Sequence, residues 1–315
     1  MEFTIIDFED VQRDLDTGVT TNFNTNFHSA EDAPGYPIPS HAPYAFDKWL
    51  PLILRSRNLP SSDLQVITLS RAQTRVVLSA AAASIHTRVI NRAYEEDLQE
   101  EVYPAFDKLV FPPEGLFMRF AACSAKDGVQ KTPGKVSVHS VDEIILQMTT
   151  SARAWSALGN IMNHEDEKAP IYFLPFDAKI KVDREYRIFC APESLRITAV
   201  SQYRWHKPWM FSGGSEQQMK QQAEKILDGI KTVHGSIISE LQEPGNNELD
   251  DLLRKQGFTF DVIFFEDTGV SALIELNTFG VTSACGSCLF QWLNDVEVLY
   301  GKASDDVEFR VVAAS

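Results

Sequence analysis

The chain has 315 residues, of which 44% are hydrophobic and 23% charged, enough apolar matter for one large core or two lobes. Its formal charge of -15 argues against a nucleic-acid or anionic-membrane surface, because phosphate binding rests on Lys and Arg. The start, MEFTIIDFEDVQRD, has no basic stretch followed by an apolar one, no run reaches the roughly 18 apolar residues of a membrane span, and four cysteines make no disulfide framework; together these predict a reduced, cytoplasmic chain.

Residues 1 to 45 read as an irregular N-terminal arm, since 16 to 44 are rich in Thr, Asn, Ser, Gly and Pro without periodicity and predict loop or partial disorder. From Phe46 to about Phe106 the pattern is helical, with Pro51, Pro60 and Pro104 as breakers. EGLFMRFAA predicts a strand. Ser140 and Glu143 form a capping box that opens a helix through Ile144, Ile145 and Met148. HEDEKAP, 164 to 170, reads as a charged loop. Strands follow in IYFLPFDAKIKV, EYRIFC and LRITAVSQYRW. Met219, Ala223, Ile226, Ile230, Val233, Ile237 and Leu241 recur at helical spacing and predict one long helix. FTFDVIFF and VSALIELN predict a strand pair, and CLFQWLNDVEVLYG a final helical stretch. The fold class is α+β with more than one lobe: a helical region and first lobe over 46 to 170, and a second lobe over 171 to 315.

The apolar stretch 258 to 280 carries three acceptor side chains, Asp261, Glu275 and Asn277, which are costly to bury unpaired. A three-residue hairpin loop at Asp267, Thr268 and Gly269 pairs Glu266 with Val270 and sets Asp261 opposite Glu275. Opposed carboxylates about 5 Å apart repel and want a cation; all-oxygen ligands suit Mg²⁺. The alternative is that Asp261 is solvated at a sheet surface, and a four-residue loop would move it to the other face.

Four segments, LFMRFAACSAKDG (116 to 128), EYRIFC with the following ITAVSQ, FTFDVIFF and LIELNTFGVTSACGSCLFQW, lie in the order found in the cell division cycle protein 123 family. The chain resembles that branch of the ATP-grasp superfamily over residues 116 to 292. The resemblance implies two lobes with antiparallel sheets clasping a nucleotide, beside a helical N-terminal region. Asp261, Glu275 and Asn277 would hold Mg²⁺ against the ATP phosphates. Arg187 would contact phosphate with Glu185 orienting it, although a simple Arg187–Glu185 ion pair remains the alternative. Arg119 stands where the family usually places a nucleotide-binding lysine, a fork in place of a point charge. Lys126 begins a glycine-bearing loop able to close over phosphates, and Phe176 would wall the adenine.

Outside the matched motifs, Arg204, His206 and Lys207 cluster among aromatics and could receive an acidic substrate. Cys285 and Cys288 have CxxC spacing but lack a second pair for zinc, which favours reduced packing. The Glu-x-Asn wording is closer to ligating members of the superfamily than to the Asp-x-Asn of the resembled branch. The expected function is therefore an ATP- and Mg²⁺-dependent carboxylate ligase working through an acyl-phosphate, with Arg187 and Arg119 as catalytic residues. A phosphotransferase would share the same nucleotide site. The alternative, implied by the branch itself, is a nucleotide-binding assembly chaperone for translation initiation factor two.

Overall fold

A computed structural model describes residues 1 to 163 and 168 to 313. Most of the predicted charged loop, His164 to Glu167, lies outside the described residues. Nine strands are present among them: β1 (Glu2–Asp7), β2 (Gln65–Leu69), β3 (Leu116–Phe120), β4 (Ala169–Pro175), β5 (Glu185–Cys190), β6 (Ile197–Gln202), β7 (Phe258–Phe265), β8 (Val270–Asn277) and β9 (Glu308–Ala313). They form a six-stranded sheet in the order β1-β9-β6-β5-β7-β8 and a three-stranded sheet in the order β2-β4-β3. The fold is mixed α+β. No helix among the described residues is long and apolar enough to cross a membrane.

The chain divides into two compact units, Leu59–Ala178 and the remainder, Met1–Asn58 with Lys179–Ser315. That division differs from the expected boundaries at 46 and 171. The first 58 residues belong with the C-terminal half because β1 pairs in parallel with β9, and because the helix Phe46–Ser56 reaches β8, where Ser56 Oγ accepts from the Leu273 amide at 3.0 Å.

The unit Leu59–Ala178 builds its core from the antiparallel sheet and the helices Arg71–Thr87, Val141–Thr149 and Ala152–Met162. Ile144, Ile145 and Met148 are fully buried there, as their helical spacing predicts, and Phe106 meets Phe173 edge to face at 6.2 Å. Ser140 caps its helix by accepting from the Glu143 amide; Glu143 reaches one residue further back than a capping box requires, to the His139 amide at 2.8 Å. The predicted run of helices from 46 to 106 is interrupted by β2, whose five residues QVITL lie between Pro60 and the Ser70 cap and pair with β4.

In the other unit the long helix runs Glu216–Glu240 and buries Met219, Ala223, Ile226, Ile230, Val233 and Ile237. It approaches β8 closely, since a Cβ on Gly229 would stand 2.5 Å from Ser271 Oγ. A further helix, Glu248–Gln256, was not predicted and starts at the Asn247 cap. The final helical stretch is only Val296–Leu299, because residues 281 to 292 form an irregular loop around buried Phe290 and Trp292.

The expected irregular arm is largely ordered. Residues 2 to 7 are β1 and Phe8–Asp16 is a helix. After it, the 3% exposed carboxylate of Asp14 accepts from the amides of Thr21, Asn22 and Phe23, from Thr21 Oγ1 and from Asn22 Nδ2. Residues 24 to 28 then bond to the 281 to 288 loop: Asn24 N to Cys288 O at 2.7 Å, Phe27 N to Ser283 O at 2.9 Å and His28 N to Val281 O at 3.3 Å.

Burial pushes the Asp14 carboxyl up, but its donors on Thr21, Asn22 and Phe23 prevail and hold it below the ordinary 3.8. A lowered folded value means that this stabilisation is complete above the unfolded value and is lost as pH falls through the folded one. Acid is therefore expected to loosen the turn. Intrinsic-rate-corrected amide exchange at Asn22 and Phe23 should accelerate below about pH 4 in the wild type and be fast at every pH in Asp14→Ala. Wild-type protection that ignores acid would contradict this.

Candidate functional site

The six-stranded sheet carries one polar row across all its strands. Register sets Thr4 of β1 beside Arg310 of β9, Arg310 beside Ser201 of β6, Ser201 beside Arg187 of β5, Arg187 beside Asp261 of β7, and Asp261 beside Glu275 of β8. Directly paired residues share a face, so these six side chains lie on one side of the sheet. The opposite face of β7 is apolar and fully buried, with Phe258, Phe260, Val262 and Phe264.

Arg187 and Asp261 form the centre of the row. Arg187 Nε donates to Asp261 Oδ1 at 2.9 Å and Nη2 to Oδ2 at 2.7 Å, while Nη1 donates to the Gly286 carbonyl at 2.7 Å. The pair is buried, 7% and 0% exposed. Burial works against the Arg187 charge, but the Asp261 carboxylate bonded to it holds the guanidinium above its ordinary value. Its guanidinium carbon also stands 4.9 Å from the centre of the Tyr203 ring, a cation–π contact. The arginine thus pairs across strands with Asp261.

The rest of the predicted triad converges on the same spot. Asn277 Nδ2 donates to Asp261 Oδ2 at 3.3 Å, and half-buried Glu275 is the direct cross-strand neighbour of Asp261. Glu185 is half-buried on the same face as Arg187, opposite Ile263. Among the described residues no group of three or more His, Cys, Asp or Glu side chains is placed to hold a metal ion; Asp261, Glu275 and Asn277 are two carboxylates and an amide.

The loop after β8 closes the row from one side. A Cβ on Gly286 would collide with Asn24 Oδ1, so the glycine lets the arm approach this loop, whose Gly286 carbonyl meets Arg187. Burial pushes the Cys285 thiol up to about 11, against the lowering pull of Arg187, and burial pushes Cys288 up as well. Both cysteines are free, buried and protonated at neutral pH, so they pack around the guanidinium as neutral groups.

The cluster at 204 to 207 is built on buried Gln202, whose Nε2 donates to the carbonyls of Arg204 and Lys207 at 2.9 and 2.7 Å. Arg204 is paired with Asp183, and partial burial with the charges of Arg204 and Lys207 pulls His206 below its ordinary value. Arg119, Lys126 and Phe176 belong to the unit Leu59–Ala178. Arg119 is buried on β3 opposite Tyr172, Lys126 is exposed on the following loop, and the half-buried Phe176 donates its amide to Gly115 O at 3.0 Å. That loop is tightly held: Asp127 accepts from Ser151 Oγ at 2.6 Å and from the Arg153 amide at 3.2 Å, and a Cβ on Gly128 would collide with the Gln147 carbonyl.

Sequence reasoning missed Tyr203, the Gly286 carbonyl and the second charged centre of the row. There Arg310 donates to both oxygens of Asp295, at 2.9 and 2.7 Å, and to Glu308 at 2.7 Å, above the Phe290 ring. Only the two-residue spacing of Glu308 and Arg310 was visible in sequence.

No protein-family model matches the sequence, and no curated protein matches it. Solved structures do. The structure of Cdc123 from Schizosaccharomyces pombe aligns with a TM-score of 0.59 over 89% of this chain and 100% of its own, at 16% identity. The chain has a Cdc123-like fold. A C-terminally truncated Cdc123 from the same organism aligns with a TM-score of 0.55 over 87% of this chain and 96% of its own, at 15% identity. The expectation of a carboxylate ligase is overturned by this likeness, because both of these structures are of Cdc123, the branch that was set against the ligase reading. Glu-x-Asn was too short a motif to decide between them, since one fold hosts many activities.

Proposed function

We propose that the chain is an assembly chaperone of the Cdc123 type, acting on translation initiation factor two and holding a magnesium nucleotide at an ATP-grasp-like site. The supporting observation is the match to the whole length of a Cdc123 chain, joined to the family-like segments that end in Asp261, Glu275 and Asn277. The residues present fit a hard divalent cation, since all three offer oxygen. Asn277 turns its amide nitrogen to Asp261, so its amide oxygen is the ligand it would offer. Mg²⁺ bound there would offset phosphate charge. Arg187 keeps the Asp261 carboxylate fixed and ionised, because a buried carboxylate without a cationic partner takes up a proton. The formal charge of -15 suits a basic face on the protein partner and would speed encounter with it.

The test is reconstitution. Separately purified subunits of translation initiation factor two are mixed with and without the chain, and assembly is followed by native mass spectrometry. A complex between the chain and one subunit, with faster assembly of the whole factor, is the expected result. Assembly at an unchanged rate with no such complex would contradict the proposal.

A further inference from the structure

The turn between β7 and β8 has four residues, Glu266 to Gly269, and pairs Phe265 with Val270. On an unbroken ladder that register would set Asp261 opposite Ile274 and turn Glu275 to the apolar face with Phe260. It does not, because the register shifts by one between Val262↔Leu273 and Asp261↔Glu275, with Ile274 as the extra residue of a bulge. The position of Glu275 therefore depends on where that bulge sits.

The bulge is gripped from outside the sheet. β8 is an end strand, and its outer backbone groups at this point meet side chains from the end of the helix Phe46–Ser56. Ser56 Oγ accepts from the Leu273 amide at 3.0 Å, Arg57 Nε donates to the Leu273 carbonyl at 3.0 Å, and Arg57 Nη2 donates to the Ile274 carbonyl at 3.4 Å. The helix offers a rigid base: Trp49 and Ile53 are buried, and the Arg57 amide closes the last turn on Ile53 O at 3.2 Å. A planar fork fixed at its root can hold two successive carbonyls in one arrangement, which a flexible ammonium does less well.

We infer that Ser56 and Arg57 are positioning residues, whose clamp on Leu273 and Ile274 holds the bulge in place and so keeps Glu275 across from Asp261. The inference rests on the proposed magnesium-nucleotide site for its functional consequence, but the clamp itself is a statement about β-strand register. Neither residue is among the proposed ligands, and both act on the β8 backbone. Outer residues that orient ligating side chains are worth about 10- to 100-fold in metal affinity.

Two readouts test it on the full chain. One is the NMR contact between the backbones of Asp261 and Glu275, with Phe264 and Ser271 as a reference pair on the turn side of the bulge; the other is Mg-ATP affinity by calorimetry. Arg57→Ala should weaken the first contact, spare the reference pair and raise the Kd about 10- to 100-fold. Ser56→Ala, a milder lesion, should move both readouts the same way by less and serves if Arg57→Ala does not fold. Deleting Ile274 in the Arg57→Ala background removes the bulge while leaving Asp261 opposite Glu275, and should restore both.

A wild-type Asp261–Glu275 contact in Arg57→Ala would overturn the inference. So would failure of the deletion to restore that contact, since Arg57 would then merely cover the sheet edge. If wild type binds no Mg-ATP, the proposed nucleotide site falls and the backbone contacts alone decide the clamp.

Discussion

Asp261→Ala is expected to destabilise the fold by about 3–5 kcal/mol, because it leaves the Arg187 charge buried without a counterion. Both partners are almost wholly out of water, and their two bonds are in bidentate geometry at 2.9 and 2.7 Å. The loss measures the penalty on the orphaned guanidinium more than the worth of the pair. Hence Arg187→Met combined with Asp261→Leu, which removes both charges at similar volume, should recover most of the stability. Urea denaturation of the two variants beside wild type reads the effect directly. Asp261→Ala unfolding within about 1 kcal/mol of wild type would mean that water reaches Arg187 and that the centre of the row is not closed.

The same energetics limit how the site can be dissected. Asp261 serves the fold as well as the proposed cation, so loss of nucleotide binding on its removal would say little about ligation. Glu275 is better suited, being half-buried at the edge of the sheet.

Much of the six-stranded sheet was legible because local signals are strong there. Alternating and continuous apolar runs located β5, β6, β7 and β8, and helical spacing located the long helix with its buried face. The pairing of Asp261 with Glu275 was also reached, though by two offsets that cancel. The turn is one residue longer than a glycine at the left-handed position suggested, and a bulge at Ile274 restores the parity. Neither offset leaves a local mark, since the bulge is fixed by Ser56 and Arg57, more than 200 residues earlier in the chain.

The same distance explains the other omissions. β1 and β9 pair across about 300 residues with no turn between them to read. The 16 to 44 segment lacks periodicity because its order comes from backbone bonds to the 281 to 288 loop and from the donors converging on Asp14, not from a repeating apolar face. Tyr203 and the Gly286 carbonyl reach Arg187 only after folding. Sequence reasoning offered Arg187 a phosphate or Glu185 and missed Asp261, because β5 and β7 are not consecutive strands and only their register sets the two residues side by side.

Glu275→Gln is expected to have the largest effect on ligand binding. It removes one negative charge from the proposed cation site at nearly constant shape, and a half-buried carboxylate-to-amide change should leave the fold within about 0.5–1 kcal/mol of wild type. Loss of an orienting residue costs a metal about 10- to 100-fold, so loss of a ligand should lie at or beyond the upper end of that range. The measurement that bears most directly on the proposed site is therefore calorimetric titration of ATP, with and without Mg²⁺, into wild type and Glu275→Gln. Magnesium-dependent binding by wild type that weakens about 100-fold or more in the variant is the expected result. Equal affinity in the two proteins, or wild-type binding indifferent to Mg²⁺, would contradict it.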